Sequence, residues 1–462
     1  MQIDRGNLSA NGSFVPASYF ATRRMIRFEG IEEFRQRYGV VALVALAIFI
    51  VQLIVLRAPR VLGEPYFIAQ NLLSGIGFAY PTISSHNLPV ITCYIPPLYV
   101  WVCAGIMKIG GGLTGIQIFN LFCLQLGALV VYRFSLNFLS KNLAIVSFVI
   151  LSLYVPLWIL AEAIEPNAFN FLLIVLTVES LYTIYQRPVM KRWIWLGVLT
   201  GLQILVRPDM LMGALFCGIW LIAVLRKKVS KIELLKSFAL TAAIALAIVL
   251  PWTVRNYLVF GKVVLVSANG GYNLWLGNNP SASGVFKMNP WSKETLDEWN
   301  VVYTYSLTHD VVDYDALFEK FALEYVITHP LQTLKIDLKK LYYHWWRRTY
   351  VGDWSQVNDL MIYFSLASVL LLMFGFYGLF NLKNTTARSL ILTFFLYSTA
   401  VSVTFFVQSR HRVLKVDPLL IPLAVAGFYT ALEQVRGRTR RSKRGLAAVP
   451  MIDTTMVEAV RS

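Results

Sequence analysis

Ten apolar runs set the terms on which this chain can fold. They fall at about 39–57, 115–134, 143–161, 167–185, 193–206, 210–225, 236–254, 359–380, 388–407 and 417–433, each near the length an α-helix needs to cross the hydrocarbon of a bilayer. In lipid the backbone N–H and C=O groups of each run must be satisfied within the segment itself, and a helix does this. The pattern therefore predicts an all-α polytopic membrane protein with a bundle of about ten transmembrane helices. Composition agrees, since 57% of the 462 residues are hydrophobic and 15% charged, whereas a soluble domain is nearer about a quarter charged. The first run follows a mostly polar segment carrying Arg23, Arg24, Arg27, Arg35 and Arg37. It lacks the short basic head and small-residue cleavage site of a signal peptide and is expected to stay in the chain.

The net charge of +17 would point to nucleic acid in a soluble protein, but here the basic residues lie between the apolar runs and in the C-terminal tail. Membrane lipids fit this distribution and nucleic acid does not. Short cytoplasmic loops collect Lys and Arg, and that bias decides the ambiguous stretch 90–110. If it does not cross, the groups Arg133/Lys141, Arg187/Lys191/Arg192, Arg226/Lys227/Lys228/Lys231, Lys383/Arg388 and Arg436 to Arg444 all fall on the side of the N-terminal arginines. The expected layout is then a cytoplasmic segment 1–38, a membrane domain 39–433 and a basic cytoplasmic tail 434–462. Two large outer loops, 58–114 and 255–358, hold nearly all the extramembrane mass, with apolar stretches lying in the interface as amphipathic helices. In the second loop, Gly261 to Gly284 reads as turns and Asp315 to Tyr343 as helix. The four cysteines, Cys93, Cys103, Cys123 and Cys217, have neither metal-site nor redox spacing and are assigned to packing.

Charges inside spans are costly, so those at span ends carry information. Glu64, Glu162 and Glu165, Arg207 and Asp209, Arg255, and Arg410, His411, Arg412, Lys415 and Asp417 all fall at the outer ends of runs. Outer cations run against the usual bias. A cluster of Arg207, Arg255, Arg410 and Arg412 suits a phosphate or diphosphate, which arginine holds by charge-assisted bidentate hydrogen bonds. Carboxylates in the same ring would repel that phosphate unless they act as a base or as metal ligands.

At these residues the chain resembles the GT-C fold glycosyltransferases that use polyprenyl-phosphate sugars, and within them the bacterial relatives of protein O-mannosyltransferases and lipid A aminoarabinose transferases. The matching segments are Gly63-Glu64-Pro65-Tyr66, Ala69 to Leu72, Gly75 to Phe78, Pro96-Pro97-Leu98-Tyr99, Glu165-Pro166, Val206 to Asp209, Leu250 to Tyr257, Ser267 to Asn279 and Arg410 to Pro418. In such enzymes the first outer loop often carries a pair of acids, where this chain has Gly63-Glu64.

The resemblance implies inversion at the anomeric carbon with the lipid phosphate as leaving group. Glu64 would take the acceptor's proton, helped by partial shielding from water. Arg207 with Arg255, Arg410 and Arg412 would hold the phosphate. Glu165 would orient the acceptor or, with Glu64, hold a divalent metal ion; its alternative is a helix-start residue beside a first-turn proline. Tyr66, Tyr99, Asn269, Tyr272 and Asn278 would shape the sugar and acceptor pocket. The partners implied are a polyprenyl-phosphate-linked sugar donor and a glycan, lipid or protein acceptor, at a bacterial inner membrane with the site on its outer face. Two rivals stand beside this reading. A flippase or transporter would need polar groups in mid-span, where Glu179 is the main candidate. A non-catalytic polymer-assembly subunit would tolerate neutral residues at the rim.

Overall fold

Every one of the ten apolar runs is helical in the computed structural model, which describes residues 39–56, 59, 61–83, 85, 87–286, 290–346 and 358–447, with the backbone alone over 358–365 and 437–447. The segment 1–38 and the end of the basic tail lie outside the described residues. Residues 1–56 and 57–462 are two units. The first contributes helix α1, Gly39–Ile54.

In the second unit the membrane helices are α4 (Gly112–Ser135), the pair α5 (Lys141–Ser152) and α6 (Val155–Glu162), α7 (Asn167–Gln186), α8 (Met190–Val206), α9 (Met210–Leu225), α10 (Lys231–Phe260), α15 (Asn358–Asn381), α16 (Thr385–Thr404) and α18 (Asp417–Ala447). Among the described residues, α4, α7, α10, α16 and α18 are long and apolar enough to cross a membrane, and α5 with α6 makes a sixth span bent by 44°. This is a multi-pass membrane protein. The run 143–161 reads as one helix in sequence, yet it breaks between Ser152 and Val155. Pro156 is the reason: it carries no N–H for the Ser152 carbonyl and its ring would clash with that carbonyl in a continuous helix, so it stands in the first turn of α6.

Helix ends follow local chemistry. Ser230 and Glu233 form a reciprocal capping box at the start of α10, and Gly261 ends that helix at φ +68°, a conformation cheap only without a Cβ. Helices α8 and α10 meet through small residues. A Cβ on Gly197 would stand 2.9 Å from the Thr241 carbonyl oxygen, and one on Gly201 would stand 3.0 Å from that of Ala245. Membrane helices associate by such close backbone approach. The Glu179 carboxylate, the main mid-span candidate for a transport path, pairs with Arg133 in the last turn of α4.

The two segments expected outside the spans, 58–114 and 255–358, are more structured than their sequences suggest. The first holds α2 (Glu64–Leu73), a hairpin of β1 (Ala79–Pro81) with β2 (Pro89–Ile91), and α3 (Leu98–Lys108). At about 1.5 Å per residue neither helix is long enough to span hydrocarbon. The second holds α11 (Gly270–Gly277), α12 (Lys293–Ser306), α13 (Val311–Thr328) and α14 (Pro330–Trp345), and outside both segments the short α17 (Ser409–Lys415) lies between α16 and α18. The turns expected over Gly261 to Gly284 are in part the helix α11, because Asp315 accepts from the N–H groups of Gly271 and Tyr272 at 3.2 and 2.8 Å and so serves its first turn. The helix expected over Asp315 to Tyr343 is two, divided at His329-Pro330.

Candidate active site

The site is assembled by short polar segments at the ends of long helices. Val61 to Gly63 runs parallel to Ala163 to Glu165: Gly63 N–H donates to the Ile164 carbonyl at 3.3 Å and Ile164 N–H to that of Val61 at 3.0 Å. This bridge brings Glu64, the first residue of α2, beside Glu165. The second strip is itself pinned from α4, where Gln117 donates to the Glu162 carbonyl at 3.1 Å and Asn120 to that of Ala163 at 3.0 Å. Asn120 in turn accepts from the Tyr99 hydroxyl at 2.9 Å. Satisfied buried networks of this kind fix geometry.

Glu165 then faces the cations. Its Oε2 accepts from Asn167 at 2.8 Å and lies 3.4 Å from Arg410 Nη1. Arg410 stands in the field of Arg207, Glu165, Glu64 and Asp209, and burial, then Arg207, push its pKa below the ordinary arginine value. Its Nε is buried and unpartnered. Arg207 Nε donates to Asp209 at 3.1 Å, Lys415 pairs with the same carboxylate, and Tyr397 donates its hydroxyl to it at 3.3 Å. Burial works against the Asp209 charge, but Lys415 and Arg207 outweigh it and hold the carboxyl well below the usual range. The result is a partly open group of three carboxylates and three cations: Glu64, Glu165 and Asp209 with Arg207, Arg410 and Lys415.

Two expected phosphate ligands are elsewhere. Arg412 is buried, with Nε on Asp417 at 2.9 Å, Nη1 on the Trp345 carbonyl at 2.7 Å and Nη2 on Ser368. All its nitrogens are used within the protein. Arg255 donates to the Thr92 carbonyl at 3.0 Å and to Asn256 at 3.1 Å, and its guanidinium sits near the rings of Trp252, Phe260 and Phe78. It clamps the first extramembrane segment to α10. The pocket residues also divide. Tyr66 is half-buried and accepts from Gln70 at 3.0 Å. Tyr99 is buried under the bridge. Asn278 is buried, giving its amide to the carbonyls of Leu274 and Thr404 and its oxygen to Lys340. Asn269 precedes α11, and Tyr272 packs on Phe318 and Trp275, in a cluster that Tyr94 also packs against. Tyr80 and Tyr94 stand near enough to Glu64 to feel its charge.

Glu64 and Glu165 were the candidate metal ligands. Arg410 already lies against one oxygen of Glu165, and a guanidinium there opposes a second cation. Among the described residues no group of three or more His, Cys, Asp or Glu comes together as a metal site. The donor set does not fit a divalent ion.

Behind the cations lies an apolar cavity of about 330 Å³ between α7, α8, α9 and α10. Its wall includes Gln203, Ile204, Met210 and Leu211, which flank the turn carrying Arg207 and Asp209, and Ala214, Cys217, Phe238 and Leu246 further along.

Solved structures share this arrangement of helices. The chain is similar to the Archaeoglobus fulgidus oligosaccharyltransferase tethered to an acceptor peptide, with TM-score 0.51 and 11% identity over 87% of this chain and 50% of that one. The same enzyme, AglB, in complex with an inhibitory peptide and dolichol-phosphate, aligns with TM-score 0.51 and 13% identity over 91% and 55%. The fold is GT-C. The chain spans about half the length of these GT-C structures. A family model described as dolichyl-phosphate-mannose-protein mannosyltransferase matches residues 95–254, a stretch that covers α3 through most of α10 and includes Glu165 and Arg207. The ArnT of Cupriavidus metallidurans bound to undecaprenyl phosphate aligns with TM-score 0.40 and 13% identity over 85% of this chain and 78% of that one. No curated protein matches.

Proposed function

We propose that the protein is a membrane glycosyltransferase that moves a sugar from a polyprenyl-phosphate donor to an acceptor at the membrane face. One observation carries the reading: carboxylates and cations converge beside an apolar cavity, and Glu165, Arg207 and Asp209 of that group lie on the stretch that the mannosyltransferase model matches. The first isoprene units of a polyprenyl tail would enter the cavity, its phosphate would meet Arg207 and Arg410, and the sugar would face Glu64. The likeness to an enzyme solved with dolichol-phosphate and a peptide supports a lipid-linked donor.

In this mechanism the acceptor's nucleophilic oxygen attacks the anomeric carbon from the side opposite the phosphate and gives its proton to Glu64. The bond from that carbon to the phosphate oxygen breaks, with inversion, and the charge left on the phosphate is held by Arg207 and Arg410. Asp209 orients Arg207 through its Nε, leaving both Nη groups for the phosphate. Glu165 aims Arg410. The basic residues of the inner loops and tail support an arrangement with both termini cytoplasmic and the site on the outer face of a bacterial inner membrane. The domain layout 1–38, 39–433 and 434–462 belongs to the same proposal.

Purified protein in liposomes, given radiolabelled polyprenyl-phosphate sugars and an envelope extract as acceptor source, should release label from the lipid into product. Lipid carried across the bilayer with no sugar transferred would replace this reading by the flippase. The Ala214→Phe protein, with the cavity partly filled, should bind polyprenyl phosphate at least tenfold more weakly.

A further inference from the structure

Helix α14 turns an apolar stripe away from the protein. Leu331, Leu334, Leu338, Leu341, Tyr342 and Trp346 are 41% to 70% exposed, and their spacing of three and four puts them along one side of the helix and its end. The opposite side buries Ile336, Lys340 and His344. Lys340 Nζ donates to Asn278 Oδ1 at 3.0 Å, Asp337 Oδ1 at 3.0 Å and the Val403 carbonyl at 2.8 Å, and His344 Nδ1 lies 3.0 Å from Ser402 Oγ. These bonds fix the roll of the helix, because turning it would strand a buried ammonium and an imidazole without partners.

Its depth follows from what its C-terminal end touches. Val403 and Ser402 are in the last turn of α16, but Trp345 Nε1 donates to Thr399 Oγ1 at 3.1 Å and its ring centroid lies 5.7 Å from those of Phe395 and Phe376. Phe395 is about 13 Å below the end of α16 at 1.5 Å per residue, and α16 is one of the helices long and apolar enough to cross. The end of α14 thus lies below the level at which α16 leaves the hydrocarbon.

We propose that α14 is immersed in the leaflet next to the charged site, its leucine stripe against acyl chains and the exposed Lys335 and Lys339 at the stripe's edge reaching up to phospholipid phosphates. Water over the stripe would leave six large apolar side chains exposed in one patch. A second copy of the chain over it would have to cover two lysines that have headgroups as partners in a bilayer. The immersed helix also brings the Trp345 carbonyl to Arg412, two residues from Arg410, so the leaflet steadies the segment that carries a site cation. This holds whatever reaction the site performs.

The test is depth. Leu334→Cys and Leu338→Cys proteins, with Glu294→Cys as a water-facing reference, are labelled with a nitroxide in phosphatidylethanolamine/phosphatidylglycerol liposomes; wild type labelled in parallel gives the background of the buried native cysteines. The ratio of collisions with oxygen to collisions with a nickel chelate should be several-fold higher at 334 and 338 than at 294. A chelate that reaches them as freely as 294 would overturn the proposal in favour of an aqueous face. Protection from both reagents would overturn it in favour of a second copy. If either leucine variant fails to fold, Leu331→Cys reads the same stripe.

Discussion

Gly63 lies against Glu165 across the short parallel bridge, so close that a Cβ at position 63 would stand 3.1 Å from the Glu165 Cγ and 2.8 Å from the Ile164 carbonyl oxygen. The backbone at Gly63 is ordinary extended chain, φ −77° and ψ 168°, so the constraint is space and not conformation. Position 63 has no room for a side chain while Glu165 fills that volume.

Gly63→Ala is therefore expected to lower stability by about 1–3 kcal/mol, the usual cost of overpacking a close contact. Thermal unfolding in detergent measures it. Gly63→Asp should do worse, since a third carboxylate joins Glu64 and Glu165. A Gly63→Asp protein of wild-type stability and activity would show that the bridge opens freely.

Glu64→Gln keeps the shape of α2 and removes the proton acceptor. Sugar transfer should fall by about 10²–10⁴-fold, the range for loss of a general base, while binding of polyprenyl phosphate changes little. Full activity in a folded Glu64→Gln protein would remove the base from position 64.

Arg207 and Arg412 should behave differently although both are rim arginines in sequence. Arg207→Gln is expected to weaken donor binding with a small effect on stability. Arg412→Gln takes from the buried Asp417 its arginine ion-pair partner while Tyr154 still donates to it, and breaking a buried pair of this kind costs about 3–5 kcal/mol. Thermal melts and donor titrations on the two variants separate the roles; a stable Arg412→Gln protein with weakened donor binding would return Arg412 to the site.

Asp315, at the first turn of α11, adds a pH dependence of its own. Burial raises its pKa to about 6, against the lowering effect of the Tyr272 and Gly271 N–H groups. Between about 4, where the unfolded carboxyl titrates, and about 6 the folded chain keeps a proton that the unfolded chain has lost. Its contribution to stability is full below that window and is lost as pH rises through it. The melting temperature of wild type relative to Asp315→Asn should fall from pH 4 to pH 6 and stay level above. A difference that does not vary with pH would contradict the assignment.

How much of this was legible beforehand varies by residue. The apolar runs were, because a helix crossing lipid must satisfy its own backbone and so writes itself into local sequence. Glu165 and Arg207 were legible as charges at span ends beside proline, and Lys415 and Asp209 were visible at the rim. The Lys415 pairing with Asp209, 206 residues away, had no local signal. Nor did the approach of Phe78 to Arg255, whose other ring neighbours, Trp252 and Phe260, are in its own helix α10. The break at Leu153-Tyr154 had one, Pro156, which a hydropathy window averages away.

Sequence alone determined that the chain is an all-helical membrane protein and that carboxylates and arginines gather at one set of helix ends, because cost of burial acts on each residue where it stands. Tertiary structure decided which of those charges share a site. Arg410 was brought to Glu165 and Arg207 to Asp209 while Arg412 was spent on Asp417 and Arg255 on Thr92, since a guanidinium's few donors go to whichever acceptors packing places within about 3 Å, and that is a property of the assembled bundle.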